Sequence, residues 1–133
     1  MLKLIQTWVL VVSVGVLMLG CSEPVNSAER VTLEQARADH EAGKVMLVDI
    51  RETREHITGV AAGAVLLPMS ELPQKQSLLP KNPDQEVLLI CNTQNRSKAT
   101  LQKLKEQGYQ NIRYVDGGMS QWAAKGWPMV APQ

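Results

Sequence analysis

Cysteine is scarce in this sequence, which contains only Cys21 and Cys91 among its 133 residues. There is no Cys-x-x-Cys pair, and no second thiol stands near either residue to resolve a mixed disulfide. A thiol–disulfide enzyme is therefore the least favoured of the thiol-based functions. The two cysteines have different roles, which are indicated by their positions along the chain.

An excess of charge of one sign is also absent. Lys and Arg number 14 against 13 Asp and Glu, so no basic surplus is available to neutralise the phosphates of a nucleic acid. The two histidines, His40 and His56, lack the spacing of metal ligands, and no glycine-rich phosphate loop is present. We therefore expect no nucleic-acid partner and no metal site.

Long apolar runs are limited to one, which extends from Trp8 to Leu19 behind the single charge of Lys3. This pattern is typical of a secretory signal peptide, because the run is short for a membrane-spanning helix. The residues that follow, MLGC at 18–21, resemble the lipobox of bacterial lipoproteins. The resemblance implies that Cys21 is acylated and becomes the mature N-terminus. An uncleaved anchor helix with an incidental cysteine is the alternative.

The leader divides the chain into three parts. We predict a signal peptide at 1–20, the lipidated cysteine and a polar tether at 21–30, and one folded domain at 31–133. Cleavage would remove Lys3 as the only charge of the leader and leave 113 residues. The predicted location is the periplasm, where the protein is exported and anchored to a membrane through its N-terminal lipid.

Short apolar runs alternate with helical patterns through the rest of the chain. Strands are predicted within KVMLVDI, AGAVLLP, EVLLIC and NIRYVDGG. Helices are predicted over 33–42 with Thr32 as a cap, around 51–59 as a short turn, from a Ser70 cap, from Ser97 to Gly108, and over 119–125. This alternation predicts an α/β fold, a small parallel β-sheet flanked by helices on both faces.

Cys91 lies at the end of the third predicted strand, where open parallel sheets bind their ligands. We therefore expect its thiol to be exposed. The loop 92–96 can turn its N–H groups toward the sulfur, and the helix that follows adds a positive partial charge, so the loop favours an anion such as a thiolate. Arg96, Lys98 and Arg51 are candidate cations at the same rim.

Two of the neighbouring charged residues have simpler interpretations. Lys98 is favoured as an ordinary exposed side chain. Asp49 at a strand end is expected to accept N–H bonds from the adjacent loop.

Three segments in the correct order resemble the single-domain rhodanese family of sulfurtransferases over roughly residues 31–130. They are VDIRETREHITGVAAGAVLLPMSEL, the active-site loop CNTQNRS, and VDGGMSQWAAKGWPM. The resemblance implies a rhodanese-like fold and a reaction in which Cys91 takes the outer sulfur of a donor such as thiosulfate. The resulting persulfide passes its sulfur to a thiol, to cyanide or to a protein acceptor, without a further cofactor.

The family also implies roles for the residues around Cys91. The N–H groups of its loop surround the sulfur, Arg96 holds the loop or an anionic donor, and Arg51 corresponds to the arginine of an Asp-x-Arg element. The substrate-binding residues implied in this way are Asn92, Thr93, Gln94, Asn95, Arg96, Ser97 and Arg51.

The sequence departs from the family pattern at two places. Gln94 stands where the family usually has glycine, and glutamine would be strained if that position needs a positive φ. Val60 to Ala62 replace a His-Ile-Pro sequence, for which we expect little effect on function.

Two other functions remain as alternatives. A phosphatase of the same fold places five residues between its cysteine and arginine, whereas four lie between Cys91 and Arg96, so the loop length disfavours it. The second is a sulfur-relay or persulfide-binding module that serves a protein partner without turning over thiosulfate.

Overall fold

The computed structural model describes residues 28–133. The predicted signal peptide and Cys21 lie outside these residues. Within the described part, no helix is both long enough and apolar enough to cross a membrane.

Strands and helices alternate along the described chain. The strands are β1 (Arg30–Val31), β2 (Met46–Asp49), β3 (Val65–Leu66), β4 (Val87–Ile90) and β5 (Ile112–Val115). The α-helices are α1 (Leu33–Glu41), α2 (Thr53–His56), α3 (Leu72–Lys75), α4 (Asn95–Glu106) and α5 (Gly118–Ala124), and short 3₁₀ turns at Met69–Glu71 and Gln76–Leu78 flank α3.

The five strands form one parallel sheet in the order β1-β5-β4-β2-β3. Asp49 at the end of β2 pairs in register with Ile90 at the end of β4. The residues that follow these two strands, Ile50 and Cys91, therefore start their loops at the same edge of the sheet.

Helices cover both faces of the sheet, as the sequence predicts. Leu89 packs on one face with Leu101 of α4, and Leu88 packs on the other with Ala36 of α1 and Trp122 of α5. Successive residues of β4 point to opposite faces, so a strand buried on both sides is apolar throughout. The predicted α/β architecture, a small parallel sheet flanked by helices on both faces, is confirmed by this arrangement.

Several local boundaries differ from the sequence predictions. The edge strand β1 was not predicted; its two residues pair with Tyr114 and Val115, so the sheet includes Arg30 of the segment assigned to the tether. Helix α4 begins at Asn95, two residues before Ser97. The predicted cap at Ser70 is wrong, because Ser70 lies inside the first 3₁₀ turn.

Helix α1 begins at the residue that the sequence predicts. The Thr32 side chain accepts a hydrogen bond from the N–H of Gln35 at 3.2 Å, which satisfies one of the free donors at the start of α1.

Candidate active site

Cys91 follows β4 directly, but its side chain is not exposed. Only 1% of the residue is accessible to solvent, and it belongs to the apolar cluster that contains Leu89 and Leu101. The expectation of an exposed thiol is therefore wrong. Cys91 continues the alternation of β4 and points toward the face covered by α4, and the early start of that helix leaves only residues 92–94 as loop.

The start of α5 holds the cysteine loop from the other side. The N–H of Met119 donates to the Cys91 carbonyl at 2.8 Å, and the N–H of Ser120 donates to the Asn92 carbonyl at 2.9 Å. Both carbonyls are thereby directed toward α5. Two main-chain hydrogen bonds thus fix the path of the chain at Cys91.

Gly118 makes this contact sterically feasible. Its φ is +62°, and a Cβ atom there would lie 2.2 Å from the Thr93 carbonyl oxygen and 2.4 Å from that of Cys91. Only glycine tolerates both the backbone conformation and the approach. Gly118 of the Gly-Gly pair therefore supports the cysteine loop.

A second buried polar residue contacts the thiol. The hydroxyl of Ser97, fully buried on α4, lies 3.4 Å from the Cys91 sulfur and donates to the Gln94 carbonyl at 3.1 Å. The structure brings the first and last residues of the CNTQNRS motif into direct side-chain contact.

Arg96 lies at the start of α4, where its guanidinium pairs with the carboxylate of Glu55 on α2. Both N···O distances are 2.7 Å, and each nitrogen meets a different oxygen. The Arg96 contact holds the pKa of Glu55 at about 2, well below the ordinary value of 4.5, and the same contact raises the pKa of Arg96. Arg96 is thus positioned by an ion pair rather than free at the rim.

Helix α2 is itself tied to the residues after β3. Glu52 and Glu55 form a reciprocal capping box, in which the Glu52 N–H donates to Glu55 at 2.9 Å. The Glu52 carboxylate also accepts the Ser70 N–H at 3.0 Å and the Ser70 hydroxyl at 2.7 Å. A chain of contacts therefore runs from Ser70 through two glutamates to Arg96.

Arg51 has a different place from the one expected. It is 4% exposed, and its guanidinium donates to both Asp49 oxygens and to the Gly59 carbonyl at 2.8 Å. The structure thus does not bring Arg51 to the rim with Arg96, since these buried contacts occupy it. Asp49 accepts the Arg51 N–H at 3.0 Å, as expected of a carboxylate at a strand end.

The remaining loop residues surround the cysteine at the surface. Asn92, Thr93 and Asn95 are exposed, and Gln94 is half-buried with φ at −144°. Because no residue other than glycine has a positive φ in the described chain, the expected strain at Gln94 is wrong. The glutamine adopts a backbone that does not require glycine. Lys98 is exposed, as expected for an ordinary surface lysine.

Sequence reasoning missed two residues that shape the site. Glu55 was not among the predicted site residues, because its partner Arg96 lies 41 positions away and no local pattern links the two. Gly118 was noted only as part of a closing motif. Its positive φ is the kind of requirement that a Gly-Gly pair indicates, but the neighbour it approaches is set by tertiary structure.

No group of three or more His, Cys, Asp or Glu side chains within residues 28–133 is arranged to hold a metal ion.

Several known proteins are similar to this chain in sequence. A family model described as Rhodanese-like domain matches residues 32–125. A protein named Sulfurtransferase from Allochromatium vinosum is 38% identical over 109 residues, which make up 82% of this chain and 98% of the relative.

Solved structures agree with the sequence relatives. A rhodanese-related protein from Thermoplasma volcanium superposes with a TM-score of 0.69 at 30% identity, over 78% of this chain and 99% of that one. The human single domain sulfurtransferase TSTD1 gives a TM-score of 0.63 at 27% identity, over 73% of this chain and 96% of that one.

Proposed function

The chain belongs to the rhodanese family, and from this premise we propose that it transfers sulfane sulfur through a persulfide on Cys91. The donor is thiosulfate or a related compound, and the acceptor is a thiol or cyanide. The similarity to sulfurtransferases supports the class of reaction. The proposal includes no separate cofactor, because the cysteine itself carries the sulfur between donor and acceptor.

The proposed reaction has two displacement steps. The Cys91 thiolate attacks the outer sulfur of thiosulfate, a new S–S bond forms, and sulfite leaves with the electron pair of the bond that breaks. An acceptor thiolate or cyanide then attacks the outer sulfur of the persulfide, and the Cys91 thiolate leaves. Covalent catalysis of this kind divides one transfer into two easier ones.

The observation that carries the proposal is the placement of Cys91 between β4 and α4. The loop is short, its first carbonyls are bonded to α5, and the Ser97 hydroxyl lies against the sulfur. Arg96 lies at the start of the twelve-residue helix α4, where Glu55 balances its charge. The N-terminus of this helix favours the negative charge that thiolate and persulfide carry.

Intact-mass spectrometry of the purified protein before and after exposure to thiosulfate tests the proposal. We expect a gain of one sulfur, about 32 Da, in the parent and in Cys21→Ser, and none in Cys91→Ser. Cys21→Ser is the matched control, because it replaces the other cysteine of the chain. Sulfur gained by a folded Cys91→Ser variant would contradict the mechanism.

The burial of Cys91 keeps the relay function as a second candidate. A thiol that is 1% exposed is reached only after the loop around it shifts, and a protein donor that docks on this loop can supply binding energy for that shift. Parent protein that takes no sulfur from thiosulfate but takes it from a protein persulfide would favour the relay function.

We also propose that the protein is exported and anchored to a membrane as a periplasmic lipoprotein through Cys21. The support is the apolar leader and the MLGC pattern at 18–21. Fractionation of cells that express the full chain tests it. We expect Cys21→Ser to leave the detergent-dependent membrane fraction, while Cys91→Ser stays with the parent; unchanged fractionation of Cys21→Ser would contradict lipid anchoring.

A further inference from the structure

The Ser97 hydroxyl has two acceptors within reach but one proton to donate. It lies 3.4 Å from the Cys91 sulfur and 3.1 Å from the Gln94 carbonyl oxygen. Ser97 is fully buried and Cys91 is 1% exposed. Within residues 28–133, it is the side-chain group found at hydrogen-bond distance from this sulfur.

The direction of these hydrogen bonds depends on the state of the cysteine. A Cys91 thiol can donate to the Ser97 oxygen while the hydroxyl donates to Gln94. A thiolate has no proton to give, so the hydroxyl must turn and donate to the sulfur.

Turning the hydroxyl away from Gln94 leaves no carbonyl unsatisfied. The Gln94 oxygen also accepts the N–H of Lys98 at 2.9 Å, as the first turn of α4 requires. The rotation exchanges one acceptor for another, and a buried polar group keeps a partner in both positions.

We propose that the Ser97 hydroxyl is a catalytic hydrogen-bond donor to the Cys91 sulfur that turns from Gln94 whenever that sulfur becomes anionic. This inference rests on the proposed function. The hydroxyl proton stays on Ser97 throughout the reaction, and the thiol proton passes to solvent base when the thiolate forms. The contact acts on the inner sulfur alone, which is where charge appears and disappears.

The two displacement steps should depend on this contact unequally. During loading, a hydrogen bond increases the thiolate population but lowers its nucleophilicity, so the two effects partly cancel. During unloading, the bond from Cys91 to the outer sulfur breaks and the inner sulfur regains its negative charge. A donor to the leaving thiolate accelerates that step without an opposing effect.

Ser97→Ala removes the hydroxyl with little other change, and Ser97→Thr restores it as the matched control. In single-turnover experiments on preloaded protein, we expect transfer of sulfur to cyanide to slow by about tenfold or more in Ser97→Ala. We expect Ser97→Thr to recover most of the parent rate. Loading from thiosulfate at high pH, where the thiolate is formed in every variant, should change far less.

Alkylation of Cys91 by iodoacetamide gives a readout that does not need sulfur transfer. We expect the pH profile of Ser97→Ala to move to higher pH than that of the parent. The charged groups associated with the sulfur, Arg96 on α4 and its partner Glu55 on α2, are the same in all variants. The comparison therefore isolates the hydroxyl.

Three results would overturn the inference. They are an unchanged alkylation profile, equal slowing of both half-reactions, and loss of folding in Ser97→Ala, which would make the hydroxyl structural. If the parent takes up no sulfur, the proposed function fails, and alkylation still decides whether the contact stabilises the thiolate.

Discussion

The carboxylate of Glu55 binds the guanidinium of Arg96 through two parallel N–H···O contacts, each 2.7 Å long. Because Glu55 belongs to α2 and Arg96 to the first turn of α4, the pair joins the segment after β2 to the segment after β4. Bidentate geometry fixes orientation as well as distance. Arg96 is therefore held beside the cysteine loop by a carboxylate from a different segment of the chain.

Replacing Glu55 by Gln should alter stability in a pH-dependent way. The pKa of Glu55 is about 2 in the folded protein against 4.5 ordinarily, so its contribution is present above about pH 5 and is lost as the pH falls toward 2. We expect Glu55→Gln to lower the free energy of unfolding by about 1–2 kcal/mol at pH 7 and by less at pH 3. Urea unfolding at both values measures it.

Glu71→Gln provides the control for that experiment. It breaks an exposed pair with Lys75 one helical turn away, which is expected to contribute less than about 1 kcal/mol. An equal loss in Glu55→Gln at pH 7 and pH 3 would show that the ion pair with Arg96 does not stabilise the fold.

Gly118→Ala should disrupt the cysteine loop. The added Cβ would lie 2.2 Å from the Thr93 carbonyl oxygen, and both main-chain bonds from α5 would have to shift. Gly126→Ala is the control, since Gly126 has a similar φ of +67° but no atom within 4 Å of the added carbon.

We expect the Gly118 variant to lose about 1–3 kcal/mol more stability than the Gly126 variant, and to lose most of its sulfur transfer. Thermal unfolding and a thiocyanate assay measure the two effects. Equal behaviour of the two variants would mean that the loop does not depend on this close approach.

The cysteine loop could be located from the sequence, but its orientation could not. A short apolar run followed by a cysteine and a helix start indicates a strand, a loop and a helix in that order, and this order is confirmed. The face of the sheet toward which the Cys91 side chain points depends on the register of β4. Helices cover both faces of this strand. Local apolar patterning does not distinguish those faces when both are buried.

The contacts of the charged side chains could not be predicted from the local sequence either. Arg51 comes shortly after β2, and Arg96 lies in the first turn of the helix that follows β4, so the sequence places both near one edge of the sheet. Their partners differ, because Arg51 meets Asp49 only two positions away in sequence, whereas Arg96 meets Glu55 from a distant segment of the chain. Burial of one arginine and partial exposure of the other follow from those partners.

Gln94→Gly should not raise activity by relieving strain. Gln94 has a φ of −144°, a region open to every residue, so glycine gains no conformational relief there. We expect a loss of about 0.5–1 kcal/mol in stability from the added freedom of the unfolded chain.

Initial rates with thiosulfate should stay close to those of the parent, and Gln94→Ala separates loss of the side chain from the effect of glycine. A large rate increase confined to Gln94→Gly would show that the loop must reach a positive φ during turnover.

Arg51→Lys distinguishes a structural arginine from a substrate-binding one. The guanidinium joins Asp49, the Gly59 carbonyl and, at 3.4 Å, the Glu55 carbonyl, in a region where both charged side chains are almost fully buried. An ammonium cannot reproduce that set of donors. We therefore expect a clear loss of stability, up to the roughly 3–5 kcal/mol associated with breaking a buried ion pair.

The KM for thiosulfate should be unchanged in Arg51→Lys below its unfolding temperature, because the side chain does not reach the rim. Lys75→Ala, which removes an exposed partner of Glu71, should change neither quantity by much. Adding Asp49→Asn to Arg51→Lys should cost less than the sum of the two single changes, since contacting residues are coupled. A raised KM with stability retained would instead assign Arg51 to donor binding, as the family resemblance implies.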